Sequence, residues 1–359
     1  MNARGLLPLL FGLLLGACDQ APPAGSEGFA GLGATAAGYA QVVPGQPLVF
    51  PRDHGAHGDY RIEWWYVTAN LEDAEGHSYG VQWTLFRNAL QVPGQLTGWS
   101  EPTLWMGHAA LTSEHGHHYA QALARGGVGT AGVEAEPLKA WIDDWQFHAL
   151  SPANQGLGDM QMTARGSDFA YRLNLRSERP LVLQGDHGYS LKSGKGQASW
   201  YYSQPYFQVS GSLQVDGREV RVKGQAWLDR EWSSQPLAAD QSGWDWFSLH
   251  LADGVKVMLF QVRQTDGQSY RAGTWISADG QALALRGDEI ILTPGRIAEV
   301  AGRRLPVEWR LEIPGKQLRI DTRPLRDDAW MGTAFPYWEG PISFTGSQTG
   351  VGYLEMTGY

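Results

Sequence analysis

The chain has 359 residues, enough for two domains of ordinary size, and its 43% hydrophobic and 18% charged content describes a globular protein. A net charge of −9, with no basic run longer than Arg303-Arg304, excludes a nucleic-acid partner, which needs a basic face. The 46 Gly and 16 Trp point to many turns and to broad aromatic surfaces lining cores or pockets.

The first element is a secretory signal. Arg4 precedes the apolar stretch Leu6 to Leu15, too short to span a bilayer. It ends Leu15-Gly16-Ala17-Cys18, which resembles the lipobox of bacterial lipoproteins, with Cys18 the lipidation site and residues 1–17 removed. No second cysteine exists, so disulfide stapling is excluded. Asp19 points to the inner membrane under the enteric sorting rule, placing the protein in the cell envelope facing the periplasm. Residues 18–45, rich in Ala, Gly and Pro, read as a flexible tether.

From there the chain reads as strands. Residues 79–86 (YGVQWTLF) put Tyr79, Val81, Trp83 and Leu85 on one face. Residues 218–226, 255–262 and 317–321 alternate in the same way. Asp-Gly pairs at 216–217, 253–254, 266–267 and 279–280 mark turns. No stretch carries a capped 3.6-residue apolar stripe. The fold class is therefore all-β, as sandwiches or closed antiparallel barrels. Trp64-Trp65-Tyr66, followed by Leu71 and a strand ending at Arg87, is echoed by Trp244-Asp245-Trp246, Leu251 and a strand ending at Arg263. This echo predicts two related domains, 46–192 and 197–359, joined through Lys192 to Gly196.

These stretches carry a resemblance. Residues 53–67 (DHGAHGDYRIEWWYV), 82–87 (QWTLFR), 106–110 (MGHAA), 185–192 (GDHGYSLK), 201–205 (YYSQP), 227–234 (WLDREWSS), 243–247 (GWDWF), 337–340 (YWEG) and 353–359 (YLEMTGY) resemble the AttH-type predicted secreted hydrolases. That superfamily includes hydroxyneurosporene synthase, the carotenoid 1,2-hydratase. The resemblance covers roughly residues 45–359. It implies two consecutive lipocalin-like barrels and an ABC-type permease as neighbour. It also implies that Asp229 is the counterpart of an Asp essential in the hydratase branch.

Among chemical candidates, Trp227-Leu228-Asp229-Arg230-Glu231-Trp232 places Asp229 and Glu231 on one strand face, opposite Leu228, Arg230 and Trp232. Paired acids in a dry site repel, which raises one pKa and makes a proton donor for an alkene, with the second acid as base. Nearby aromatic faces would steady a carbocation. Glu63 and Glu339 are acids among aromatics, and Arg87 is the natural partner of Glu63. Asp245 lies between Trp244 and Trp246. Trp65, Trp232, Trp338, His54 and His108 complete the set of expected pocket residues. No nucleophile elbow, P-loop, dinucleotide fingerprint or HExxH occurs, Ser190-Leu191-Lys192 follows a turn, and His115 to His118 reads as a surface loop, so neither cofactor nor metal is expected.

Two functions fit. One is a membrane-tethered protein that binds a hydrophobic small molecule, a lipid or isoprenoid-like ligand, in Trp-lined barrels. The other is a hydratase acting through Asp229 and Glu231 on an unsaturated apolar substrate, with the family label offering hydrolysis as a further alternative.

Overall fold

The structure is a computed structural model that describes residue 32 and residues 36–359, except 93, 95 and 152–156. The signal, Cys18 and Asp19 lie outside the described residues.

Thirteen strands form the first sheet: β1 (Ile62–Glu72), β2 (Ser78–Ala89), β3 (Thr103–Ser113), β4 (His117–Arg125), β5 (Ala131–Ala135), β6 (Leu138–Ile142), β7 (Trp145–Ala149), β8 (Asp159–Arg165), β9 (Phe169–Arg176), β10 (Val182–Leu183), β11 (Tyr189–Leu191), β12 (Ala198–Val215) and β13 (Arg218–Ser233). The rest are β14 (Gln241–Leu251), β15 (Lys256–Gln264), β16 (Ser269–Ile276), β17 (Ala282–Arg286), β18 (Ile291–Pro294), β19 (Ile297–Val300), β20 (Arg303–Pro306), β21 (Trp309–Ile313), β22 (Leu318–Pro324), β23 (Trp330–Met331), β24 (Tyr337–Gly346) and β25 (Gly350–Met356). All but the small β19–β20 hairpin belong to a 10-stranded second sheet. Helical structure among the described residues is confined to short 3₁₀ turns such as Arg52–His54.

Both sheets are antiparallel, curl into barrel-like units and share one plan. The first runs β4-β3-β2-β1-β13-β12-β9-β8-β7-β6-β5, the second β17-β16-β15-β14-β25-β24-β22-β21-β18. In each, the opening strand pairs with its hairpin partner on one side and with the last strand of the sheet on the other. The Trp64/Trp244 echo falls on those two opening strands, β1 and β14. At the turn between β12 and β13, Asp216 and Gly217 both adopt positive φ (53° and 73°), as a two-residue hairpin with the right-handed strand twist requires.

Each barrel is filled from one parity of its strands. Trp65, Val67, Ala69 and Leu71 of β1 enter the first core with Val81, Trp83 and Leu85 of β2. Phe247, Leu249 and Leu251 of β14 enter the second. The opposite parity is also covered, because the barrels pack side by side. Tyr66, Tyr201 and Trp227 of the first sheet join Trp246, Phe260 and Tyr353 of the second in a core of their own. Gly80 shows how close the approach is: a Cβ there would fall 2.4 Å from Pro341 Cγ and 2.7 Å from the Tyr353 hydroxyl.

The passage between sheets differs from the 192/197 division read from the sequence. Residues 198–233 form β12 and β13, which hydrogen-bond to β9 and β1 of the first sheet, so the change of sheet falls between Ser233 and Gln241. Lys192 to Gly196 is only the turn into β12. The end of the expected tether is also fixed to the body. Ala40 N–H donates to the Asp59 carbonyl (2.9 Å), and the Tyr39 hydroxyl donates to the Ala89 carbonyl (3.2 Å).

Candidate functional site

Where the outer faces of the two sheets meet, they enclose a cavity of about 680 Å³. Its geometry follows from strand register. On the first sheet, directly opposed residues make one polar row across β12, β13, β1, β2 and β3: Ser203, Asp229, Tyr66, Thr84, His108. Two residues along each strand, on the same face, the next row reads Tyr201, Glu231, Trp64, Phe86, Met106. The facing row of the second sheet, across β15, β14, β25 and β24, is Phe260, Trp246, Glu355, Glu339. The aromatics of the internal echo therefore come face to face: Trp64 and Tyr66 on one wall, Trp244 and Trp246 on the other.

Asp229 is buried at this cavity (3% exposed) and is the end point of a directed network. Trp227 Nε1 donates to its Oδ1 (2.7 Å), the Ser203 hydroxyl donates to the same oxygen, and the Tyr201 hydroxyl donates to Oδ2 (2.7 Å). Behind these, Trp246 Nε1 donates to the Tyr201 hydroxyl (3.1 Å) and Gln184 Nε2 to Ser203 Oγ (2.7 Å). Three donors favour the anion, but removal from water outweighs them, and with the charge of Glu231 nearby it pushes the Asp229 pKa up to about 7. Glu355 meets the same conditions from the other barrel. Burial first, then the charges of Asp229 and Glu231, raise it to about 7 although Trp244 Nε1 donates to it (2.5 Å). Two carboxyls from different barrels thus change charge near neutrality at one cavity, the usual property of a working acid–base site.

Glu231 is bound otherwise. Lys192 Nζ lies 3.0 Å from its carboxylate, and the same ammonium sits 4.6 Å above the Tyr201 ring and 4.5 Å above that of Phe260. Glu339 is set back from the cavity. It accepts from the Tyr66 hydroxyl at 2.5 Å, and burial together with the charge of Glu355 raises its pKa well above the ordinary range.

The AttH-like family model matches residues 41–359. The chain belongs to the AttH-like family. An AttH-type protein from Nitrosomonas europaea is 35% identical, with a TM-score of 0.79 over 89% of this chain and 99% of that one. Kievitone hydratase from Nectria haematococca superposes with a TM-score of 0.67 at 19% identity, covering 89% of this chain and 96% of its own. CghA, solved with Sch210972, gives 0.53 at 14% identity, covering 93% and 97%. The latter two likenesses concern the fold, which this AttH-like chain thus shares with a hydratase. No protein curated for function matches the sequence.

Of the residues singled out in the sequence, the AttH-like cavity brings together Asp229, Glu231, His108, Trp244 and Trp246, with Glu339 one hydrogen bond behind. Six others lie elsewhere, most for the same reason: they neighbour cavity residues in sequence and so point to the opposite face. Trp65 and Trp232 enter the first barrel. There the Arg230 guanidinium lies 3.7 Å from the Trp65 ring, and His57 stacks on Trp232 at 4.0 Å. Glu63 meets Arg87 (3.1 Å) and Arg230 in the same end of that barrel, and these partners hold its pKa down at about 2 against burial. His54 bonds the Tyr202 hydroxyl (2.7 Å), with its pKa lowered to about 4 by burial and by Arg230. Trp338 belongs to the second core. Asp245 is engaged by Arg263 (2.5 Å), Gln261 (2.7 Å) and the Tyr359 hydroxyl (2.9 Å). These six are structural rather than cavity groups.

The sequence reading passed over Tyr66, Lys192, Tyr201 and Glu355. Glu355 carried a usable signal, as a lone acid between Leu354 and Met356 in a terminal alternating strand. Lys192 was assigned to a connection, and nothing local announces the pairing that brings it to Glu231.

Proposed function

We propose that this protein binds an unsaturated apolar small molecule in the inter-barrel cavity and adds water across a carbon–carbon double bond, with Asp229 as the proton donor. The observation that supports this most directly is a buried carboxyl, poised near pH 7, at a cavity walled by Trp64, Trp244, Trp246 and Phe260. In the forward step the alkene π pair takes the proton of the Asp229 carboxyl, leaving a carboxylate and a cation on the adjacent carbon. Aromatic faces stabilise that cation. A water oxygen then bonds to the cationic carbon, and the surplus water proton passes to the Glu355 carboxylate. Glu231, expected as the base, is committed to Lys192, and Glu355 takes that role. Reversal of the same steps is dehydration.

The test is incubation with acyclic unsaturated isoprenoids in D₂O and H₂¹⁸O, followed by mass spectrometry. Joint incorporation of one deuterium and one ¹⁸O is expected, reduced about 10²–10⁴-fold by Asp229→Asn. Binding without incorporation for every substrate would leave the carrier reading, which the apolar cavity also supports. An acylated Cys18 would hold this cavity beside its cargo at the membrane. An acyl mass on the N-terminal peptide checks that attachment.

A further inference from the structure

The polar row contains one group that the acid–base chemistry leaves unused. His108 lines the cavity at 1% exposure. Its Nδ1 bonds the Tyr337 hydroxyl at 3.0 Å, and that hydroxyl also engages the Glu339 carboxyl. Its other nitrogen, Nε2, is buried and has no hydrogen-bond partner among the described residues. The Phe86 ring packs edge-on against the imidazole at 5.3 Å. Gln82 Oε1 and Glu339 Oε2 are also unpartnered, but neither residue lines the cavity. A buried, unpaired ring nitrogen is costly unless something entering the cavity completes it.

Burial keeps this imidazole neutral, with its pKa lowered to about 3, so Nε2 presents either an N–H or a lone pair. A hydroxyl both donates and accepts, and so satisfies either tautomer, whereas a hydrocarbon satisfies neither. We infer that His108 anchors a hydroxyl group of the ligand, which makes the ligand an elongate, unsaturated apolar alcohol. Its length follows from the row. Three strand steps separate β13 from β3, roughly 14 Å at the usual strand spacing. The hydroxyl thus lies far along the molecule from a double bond placed at Asp229. That placement rests on the hydration reading above, while the anchor itself does not.

The test compares full-length protein binding to farnesol and to the C15 triene hydrocarbon of the same skeleton, by quenching of tryptophan fluorescence. The alcohol-over-hydrocarbon affinity ratio should fall about tenfold in His108→Leu and be largely kept in His108→Gln, which retains a hydrogen-bonding group. ¹⁵N-histidine spectra of the unaltered protein give a readout that needs no folded variant. Farnesol, and not the hydrocarbon, should shift the Nε2 resonance that is missing from the His108→Gln spectrum. A ratio indifferent to His108→Leu, or an unmoved resonance with farnesol bound, means that water serves this nitrogen and overturns the anchor. Hydrocarbon hydrated and bound as tightly as the alcohol overturns the anchor alone, whereas failure of both compounds to bind overturns the apolar-ligand reading with it.

Discussion

Asp229→Asn should change how stability depends on pH. The Asp229 pKa rises from 3.8 to about 7 on folding, so the folded state holds the proton more tightly than the unfolded chain. For an acid shifted upward, the favourable contribution is complete below the unfolded pKa and is lost as pH rises through the folded one. At about 1.36 kcal/mol per unit, roughly 2.5 kcal/mol should disappear between pH 5 and pH 8 from this group alone. Asn cannot titrate. Its Oδ1 still accepts from Trp227 and Ser203, while its amide can only donate to the Tyr201 oxygen, whose own proton loses its acceptor at a cost that is the same at every pH. Urea unfolding of both proteins at pH 5, 6, 7 and 8, followed by tryptophan fluorescence, should show the variant losing about that much less across the range. The residual slope reflects Glu355, shifted in the same direction. Parallel pH profiles for the two proteins would refute the assignment of a shifted, desolvated carboxyl at Asp229.

Tyr201→Phe removes a donor that favours the Asp229 anion, so the alkaline limb of the pH–rate profile should move up by about one unit. Glu63→Gln leaves the fully buried Arg230 without its carboxylate and should cost about 3–5 kcal/mol in urea unfolding at pH 7, with no change in ligand affinity, since Glu63 faces away from the cavity. Gly80→Ala drives a methyl into Pro341 and the Tyr353 hydroxyl across the inter-barrel contact; a loss of about 1–3 kcal/mol is expected, together with weaker ligand binding, because the cavity walls belong to different barrels.

The all-β architecture was legible in the sequence because period-two alternation and Asp-Gly turns are local signals. Strand parity also placed Asp229 and Glu231 together, opposite Arg230 and Trp232, as the structure has them. What was not legible depends on pairing at long range. β12 and β13 look like the start of a second domain until Ile62 is found opposite Ser233. The same strand that reads as part of one barrel wall then becomes the surface on which another barrel rests. Aromatic richness was a poor guide to which Trp residues line the site. Trp64 and Trp65 are equally apolar, and only the direction of the sheet's curl decides which faces the core and which the cavity.

The pairing of opening and closing strands sets an order of events during synthesis. β1 is made before its neighbour β13, which is not complete until residue 233, and Glu355 follows only with β25. Until then Tyr66 lacks Glu339, Trp244 lacks Glu355, and the wall facing Asp229 does not exist. A nascent chain therefore carries Trp64, Tyr66 and Asp229 before the strands that face them exist. Loss of β25 alone would remove Glu355 and leave the cavity without part of its second wall.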